Sequence, residues 1–497
     1  MSLISLPAEL QLRICRYLSC SDLAHMVLCS KSFQFASRAL YENVSIRLHE
    51  PLTTNVNQIL QLANLLRETD SLASLVKTVQ LRHPHGSKYT SVQISFPYFV
   101  ERGIYCRCPL TASRKHRPSC DSRLRQHEKL KYVLQQLLDA CPNIGKLKFT
   151  GLIPSNWAHS VGYSKMQNLG EIAITDAEEL SQVMLEQIAA LPRFHSFSLS
   201  FDGFRPTATS WTPPVLKMLT RMKVVTTVKL LNQLQTLLLV APNLTSLNLE
   251  LDLGKIDDMM FDAVPDFTKG RPLSVLSRVL RGQLGSKESP FPAPAGSAPP
   301  LFNLEHLRLV VSFSPDDMCS DVAVLQWYGV GPIALEDRCD RLREVLFKHN
   351  VYSIYECSLR GSIGPLSDLV KLQTLEISPA VLFGREGGRT LSSLPTSLRE
   401  LRVRDDPITW KTFEGFDSIS GHWWKPYYRA PWTPSELDAG LKKYAEDKDQ
   451  HLPHLEKIIA LSRLVGDPQV ELSNKPDADV VRMLADLGTR YEIHQMM

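Results

Sequence analysis

Cys106, Cys108, His116 and Cys120 are the closest gathering of metal-ligating side chains in the sequence. Thiolates and an imidazole are the ligands that hold zinc in a tetrahedron. The Cys-x-Cys spacing is tighter than in the usual structural pair, and a second pair is missing. His83 and His85 are further candidate ligands. The competing reading is a basic surface loop with free thiols, and we expect no cofactor. Catalytic signatures are absent: no Gly-x-Ser-x-Gly elbow, no Gly-x-x-x-x-Gly-Lys phosphate loop and no His-Glu-x-x-His. Gly384, Gly387 and Gly388 lie close together without forming a nucleotide fingerprint. The expectation is therefore a protein that binds rather than an enzyme.

The elements that would carry binding follow from a recurring pattern: apolar, two residues, apolar, one residue, apolar. It starts at Val76, Ile144, Leu169, Phe194, Leu244, Leu304, Leu342, Leu372 and Leu398, and more weakly at Leu455. Ile144, Leu169 and Phe194 are about 25 residues apart, a leucine-rich-repeat period. Each copy predicts a short strand whose alternate side chains enter a shared core. Helices are predicted over Leu124–Ala140, Glu179–Ala190 and Thr227–Val240. Two of them run into Cys141-Pro142-Asn143 and Ala241-Pro242-Asn243, where proline stops the helix and asparagine suits the turn. The fold class expected is α/β: an irregular leucine-rich-repeat solenoid of stacked parallel strands with outer helices, over residues 49–476. A final helix and short strand, residues 477–497, would cap it. The repeat pattern's asparagine or cysteine after the strand is missing, as at Thr150-Gly151-Leu152.

Alternation along these strands predicts an outward, concave face bearing Lys146, Lys148, Ser198, Asn248, Arg308, Lys348, Glu376, Arg402 and Arg404. Arg308, Lys348, Arg402 and Arg404 are candidate contacts for an acidic or phosphorylated protein, though a solvated face has the same composition. Residues 410–432 hold four of the seven tryptophans. Tryptophans there, Trp423 and Trp424 among them, are candidate substrate contacts because such residues dominate interface hot spots. A satellite core cluster is the other reading of that loop. Residues 285–300, rich in Pro, Gly, Ser and Ala, predict a disordered insertion.

At the N-terminus, Leu6, Leu10, Ile14 and Leu18 recur every four residues, which predicts a helix with one apolar face. Pro7 suits the helix start. Ser19 or Ser21 can cap a second helix carrying Leu23, Met26 and Val27, and Ser30 a third carrying Phe33, Ala36, Leu40 and Tyr41. A unit of roughly forty residues rarely holds a core alone, so its apolar face should be shared with a partner.

This stretch, residues 1–48, resembles the F-box motif. The Leu6-Pro7-x-Glu9-Leu10 opening matches, as do Ile14, Leu18, Asp22-Leu23, Leu28-Cys29, Lys31, and Phe33 where the family often has Trp. The resemblance implies docking on a Skp-type adaptor and, through it, on a cullin–RING ubiquitin ligase. Leu6, Pro7, Leu10, Ile14, Leu18, Leu23, Leu28 and Phe33 would make or support the adaptor contact. The chain would then be a non-catalytic substrate receptor, with the solenoid holding a protein substrate. A scaffold that binds the adaptor without presenting a substrate has the same features.

Composition fits this reading. In 497 residues, 56 basic and 52 acidic side chains give a net charge of +4, so neither nucleic acid nor a membrane surface is an expected partner. An apolar content of 43% suits a folded chain. Glu9, Arg13 and Arg16 interrupt any signal-peptide core, and no run is long enough to span a bilayer. The ten cysteines read as reduced thiols, so the expected location is cytoplasmic or nuclear.

Overall fold

The computed structural model describes residues 6–15, 17–18, 22–23, 25–26, 34–48, 52–82, 118–150, 161–177, 180–201, 204–205, 213–227, 230–252, 272–283, 301–312, 363, 366–378, 381, 394–404, 441–442, 452–462 and 477–495. They fall into two units, Met1–Leu219 and Thr220–Met497. The first begins with helices α1 (Ala8–Cys15) and α2 (Gln34–Glu42). It continues through β1 (Asn43–Arg47), α3 (Leu52–Glu68), α4 (Asp70–Ala73), β2 (Thr78–Arg82) and α5 (Pro118–Asp139). Then come β3 (Lys146–Thr150), β4 (Glu171–Ala177), β5 (Leu180–Ser181), α6 (Gln182–Ala189), β6 (Ser196–Phe201) and β7 (Phe204–Arg205). In the first unit β1, β2, β3, β4 and β6 pair side by side, all parallel, and β5 pairs with β7 apart from them.

The second unit holds β8 (Arg221–Thr227), α7 (Leu231–Leu239), β9 (Ser246–Asp252), α8 (Pro272–Leu280) and β10 (His306–Ser312). It ends with β11 (Thr374–Ile377), β12 (Glu400–Arg404), β13 (Lys457–Ser462), α9 (Ala478–Asp486) and β14 (Arg490–Gln495). These strands pair in chain order, again all parallel. Parallel strands, each reached through a helix or turn, are the leucine-rich-repeat-like, solenoid-like architecture that the apolar pattern implies.

Register explains why the pattern recurs. Val79, Leu147, Ile172 and Phe197 are paired across β2, β3, β4 and β6, and all are buried. Leu247, Leu307, Leu375, Leu401 and Ile458 form the equivalent ladder from β9 to β13. Phe194 and Phe197 meet edge to face, centroids 5.7 Å apart, in the first core. Truncating one fully buried Leu of such a ladder to Ala costs about 2–5 kcal/mol.

The turns before the strands are stitched too. Gly145 N (2.8 Å) and Lys146 N (3.1 Å) both donate to Lys77 O, and Gly170 N (2.9 Å) and Glu171 N (3.0 Å) to Gly145 O. The same fork joins residues 195 and 196 to Gly170 O, 245 and 246 to Thr220 O, and 305 and 306 to Thr245 O. Asparagines in these turns do more than turn the chain: Asn143 Nδ2, in the first Pro-Asn turn, donates to Ser74 O (3.1 Å), Asn168 Nδ2 to Pro142 O (3.2 Å) and Asn303 Nδ2 to Pro242 O (3.1 Å). Each ties its turn to the preceding one, where the backbone would otherwise lack partners.

Four strands escape the sequence reading: the two-residue β5 and β7, and β1 and β8 of the parallel ladders. β1 lies inside the stretch assigned to the N-terminal helical unit. β8 occupies the gap from Phe194 to Leu244; Leu219, Met222 and Val224 complete its apolar triplet and are buried. The helix expected over Thr227–Val240 starts later, at Leu231, because Val224-Val225-Thr226-Thr227 is β-branched and continues β8. The helix expected from Glu179 begins at Gln182, where Ser181 caps it by accepting from Met184 N at 3.1 Å. The helix and strand expected near the end are α9 and β14. Asp477 caps α9, and Gly488, at a φ of +73°, closes it with Thr489 N donating to Leu484 O at 2.8 Å. Residues 285–300, 410–432 and the triplet at Leu342 lie outside the described residues.

Candidate protein-interaction surfaces

At the N-terminus, Pro7 O accepts from Leu10 N and Gln11 N, both at 3.0 Å, and so starts α1. The structure sorts its apolar residues into buried and exposed. Cys15, Leu23 and Ala36 are buried together, with Leu18, Met26, Ala39 and Leu40 packed against them. Pro7 is exposed and Leu6 half-buried. Leu10 is 45% exposed, Ile14 38% and Tyr17 82%. Leu10, Ile14 and Tyr17 follow at spacings of four and three, so they form one stripe on the helix and the turn after it. Tyr17 was missed in the sequence, although its spacing from Ile14 is a legible signal. Leu28 and Phe33 lie outside the described residues.

In the second unit the outward side of the sheet carries a charged row. Lys223, Asn248, Arg308, Glu376 and Arg402 are direct register partners on β8, β9, β10, β11 and β12. Arg308 Nε donates to Glu376 Oε1 at 2.7 Å and its Nη1 to Asn248 Oδ1 at 3.0 Å. Arg404 Nη1 donates to the same Glu376 oxygen at 2.5 Å, and Arg402 Nη1 stands 3.9 Å from Oε2. Arg402 Nε donates to Glu400. Glu376 and Arg404 are nearly buried, whereas the side chains of Arg308 and Arg402 keep 35% and 40% of their exposure.

Burial alone would push the Glu376 carboxyl up. The hydrogen bonds and charges of Arg308 and Arg404 outweigh it, so the group titrates below the usual glutamate range. Charged hydrogen bonds of this kind also fix guanidinium orientation. Lys223 is exposed and has no ion-pair partner among the described residues. It was missed because β8 was missed.

In the first unit, Lys146 pairs with Glu171, and His195 Nε2 is 3.9 Å from Glu171 Oε1. Lys348, Trp423, Trp424, Cys106, Cys108 and His116 lie outside the described residues; Cys120 falls in the first turn of α5. Among the described residues, no group of three or more His, Cys, Asp or Glu is placed to hold a metal ion, and no helix is long and apolar enough to cross a membrane. Cys15 and Cys141 are buried free thiols, and burial pushes the Cys141 thiol up to about 12.

No family model matches this sequence, and no curated protein matches it. Among solved structures, the chain is similar to the leucine-rich repeat-containing protein LegL7 from Legionella pneumophila. The identity is 10%, the TM-score 0.35, and the match covers 91% of this chain and 90% of that one.

Proposed function

We propose that this chain is the substrate-recognition subunit of a Skp–cullin–F-box ubiquitin ligase. The N-terminal helices dock the Skp-type adaptor, and the strand-and-helix units hold a protein substrate. The ligase acts by proximity: the receptor raises the effective concentration of substrate beside the ubiquitin-conjugating enzyme. Catalysis belongs to the partner subunits.

The observation that carries this reading is the stripe of Pro7, Leu10, Ile14 and Tyr17. These residues belong to the stretch that resembles the F-box, and they face outward while Cys15, Leu23 and Ala36 fill the internal core. Large apolar side chains aligned on a short helical unit favour a partner. Covering the half of Leu10 and Ile14 that remains exposed contributes roughly 1 kcal/mol each.

The test is gel filtration of the purified full chain with a purified Skp adaptor. Wild type should co-elute with it. Leu10→Asp and Ile14→Asp, which place a charge in the contact without touching the internal core, should elute separately with unchanged melting curves. Co-elution of both variants would refute the reading.

A further inference from the structure

We propose that the outward face of β1, β2 and β3 binds a phosphorylated segment of a protein partner, with the phosphate held between Arg47 and Arg82 and Lys148 beside them. This role takes its biological meaning from the substrate-receptor reading and narrows the class of substrate.

Alternation puts the three cations on one side of the sheet. Val79, Leu81, Leu147 and Phe149 turn inward and are buried, so Gln80, Arg82, Lys148 and Thr150 turn outward, as do Ser45 and Arg47 on β1. Arg47 and Arg82 are direct register partners, and so are Gln80 and Lys148. Neighbouring strands lie about 4.8 Å apart, so the two arginines project side by side. Like charges on paired residues repel, and the fold gains nothing from that pairing.

The neighbouring charges do not relieve it. β1, β2 and β3 carry four basic residues, Arg47, Arg82, Lys146 and Lys148, and no acid. The next strand, β4, carries Glu171 and Asp176. Glu171 pairs with Lys146, its register partner, towards the start of the strands. Asp176 stands on β4, two strands away from Arg82. Glu42 precedes β1, five residues before Arg47. Among the described residues, Arg47 and Lys148 have no hydrogen-bond or ion-pair partner, and Arg82 uses only Nη2, on Gln80 Oε1 at 2.9 Å.

Gln80 is a positioning residue. Its Nε2 donates to Thr150 Oγ1 at 3.3 Å, which orients the amide, and the amide oxygen in turn holds Arg82. Nε and Nη1 of Arg82, the whole fork of Arg47 and the Lys148 ammonium are left for a ligand. Ser45, Arg47 and Arg82 are exposed, and Gln80, Lys148 and Thr150 half-buried, so a ligand can reach these donors.

The doubled guanidinium selects the ligand. A phosphate monoester carries about 1.5 to 2 negative charges at neutral pH and three terminal oxygens. One such group can meet donors from both arginines and offset both charges, with Lys148 as a further point charge. A carboxylate offers two oxygens and a single charge, so it satisfies one arginine and leaves the repulsion of the pair in place.

The experiment is fluorescence anisotropy of the purified full chain with labelled Gly/Ser peptides that differ only in a central phosphoserine, glutamate or serine. Wild type should bind the phosphoserine peptide about tenfold tighter than either of the others. Arg47→Gln and Arg82→Gln should each lose most of that preference, and Lys148→Gln a smaller part. Arg47→Gln removes a like-charged neighbour, so it should melt no earlier than wild type, and its loss of binding reports on the site rather than on the fold. Arg67→Gln, which removes an exposed cation from α3, should bind as wild type does. Leu10→Asp should also bind the peptide normally, and adaptor co-elution on the same preparations reports separately on the ligase reading. Any of four results overturns the proposal: no preference for phosphoserine over serine, equal binding of the glutamate peptide, a preference intact in Arg47→Gln and Arg82→Gln, or tighter binding of a single-stranded DNA oligomer than of the phosphoserine peptide.

Discussion

Glu376 concentrates the electrostatics of the second unit in one carboxylate, and its depressed pKa has a definite sign for stability. A carboxyl titrating lower in the folded than in the unfolded chain stabilises above the ordinary glutamate range, and that contribution is lost as pH falls through the folded value. Glu376→Gln leaves Arg404 nearly buried without its carboxylate, which should cost roughly 3 kcal/mol at neutral pH. Urea unfolding from neutral to acid pH checks this: the gap between wild type and variant should narrow as the acid range is entered. An equal gap at every pH would contradict it. Thr226 offers the opposite case. Its side chain is buried on β8, and its hydroxyl has no hydrogen-bond partner among the described residues. Val has nearly the same shape and suits a strand, so Thr226→Val should raise stability by about 1 kcal/mol in the same assay.

At the scale of the element, the turn before each strand sets the register. Gly170 sits where the turns before β4 and β6 approach: a Cβ added there would stand 2.7 Å from His195 Cε1 and 3.3 Å from Arg193 O. Gly170→Ala should therefore cost about 1–2 kcal/mol. Half of that should return in Gly170→Ala/His195→Ala, because the nearer obstacle is an exposed side chain and the farther one backbone. Additive losses in a double-mutant cycle would show that the ring is not what the Cβ meets. The apolar triplets were legible because a strand buried on one face must alternate. β8 was not, because Met222 stands at the middle of its triplet and no helix separates it clearly from the Phe194 copy. The asparagine ladder was legible only as turn chemistry, since a bond from one turn to the next joins residues 25 or more apart.

Over the whole molecule, the repeat is regular in the first unit and stretched in the second. Hydrogen bonds between successive turns span 25 residues from Asn143 to Asn168 and from Asn168 to Arg193. The partners Asn248, Arg308 and Glu376 are 60 and 68 residues apart. Such spacings show in a sequence as irregular repeats, yet the strands they deliver stay in register and form the row of outward charges. Arg308, Arg402 and Arg404 were legible as outward residues from alternation alone. That Glu376 gathers all three was not, because strand pairing across long insertions has no local signal. At the N-terminus the residue types carried the F-box resemblance, and the structure added which of them face out. The central claim is that Leu10 and Ile14 face an adaptor, and affinity purification of wild type and Leu10→Asp side by side, with mass spectrometry of what is retained, tests it most directly. Adaptor and cullin should come with wild type and vanish from Leu10→Asp, while partners bound elsewhere on the chain stay with both. Adaptor retained equally by the two proteins, or by neither, would contradict the account.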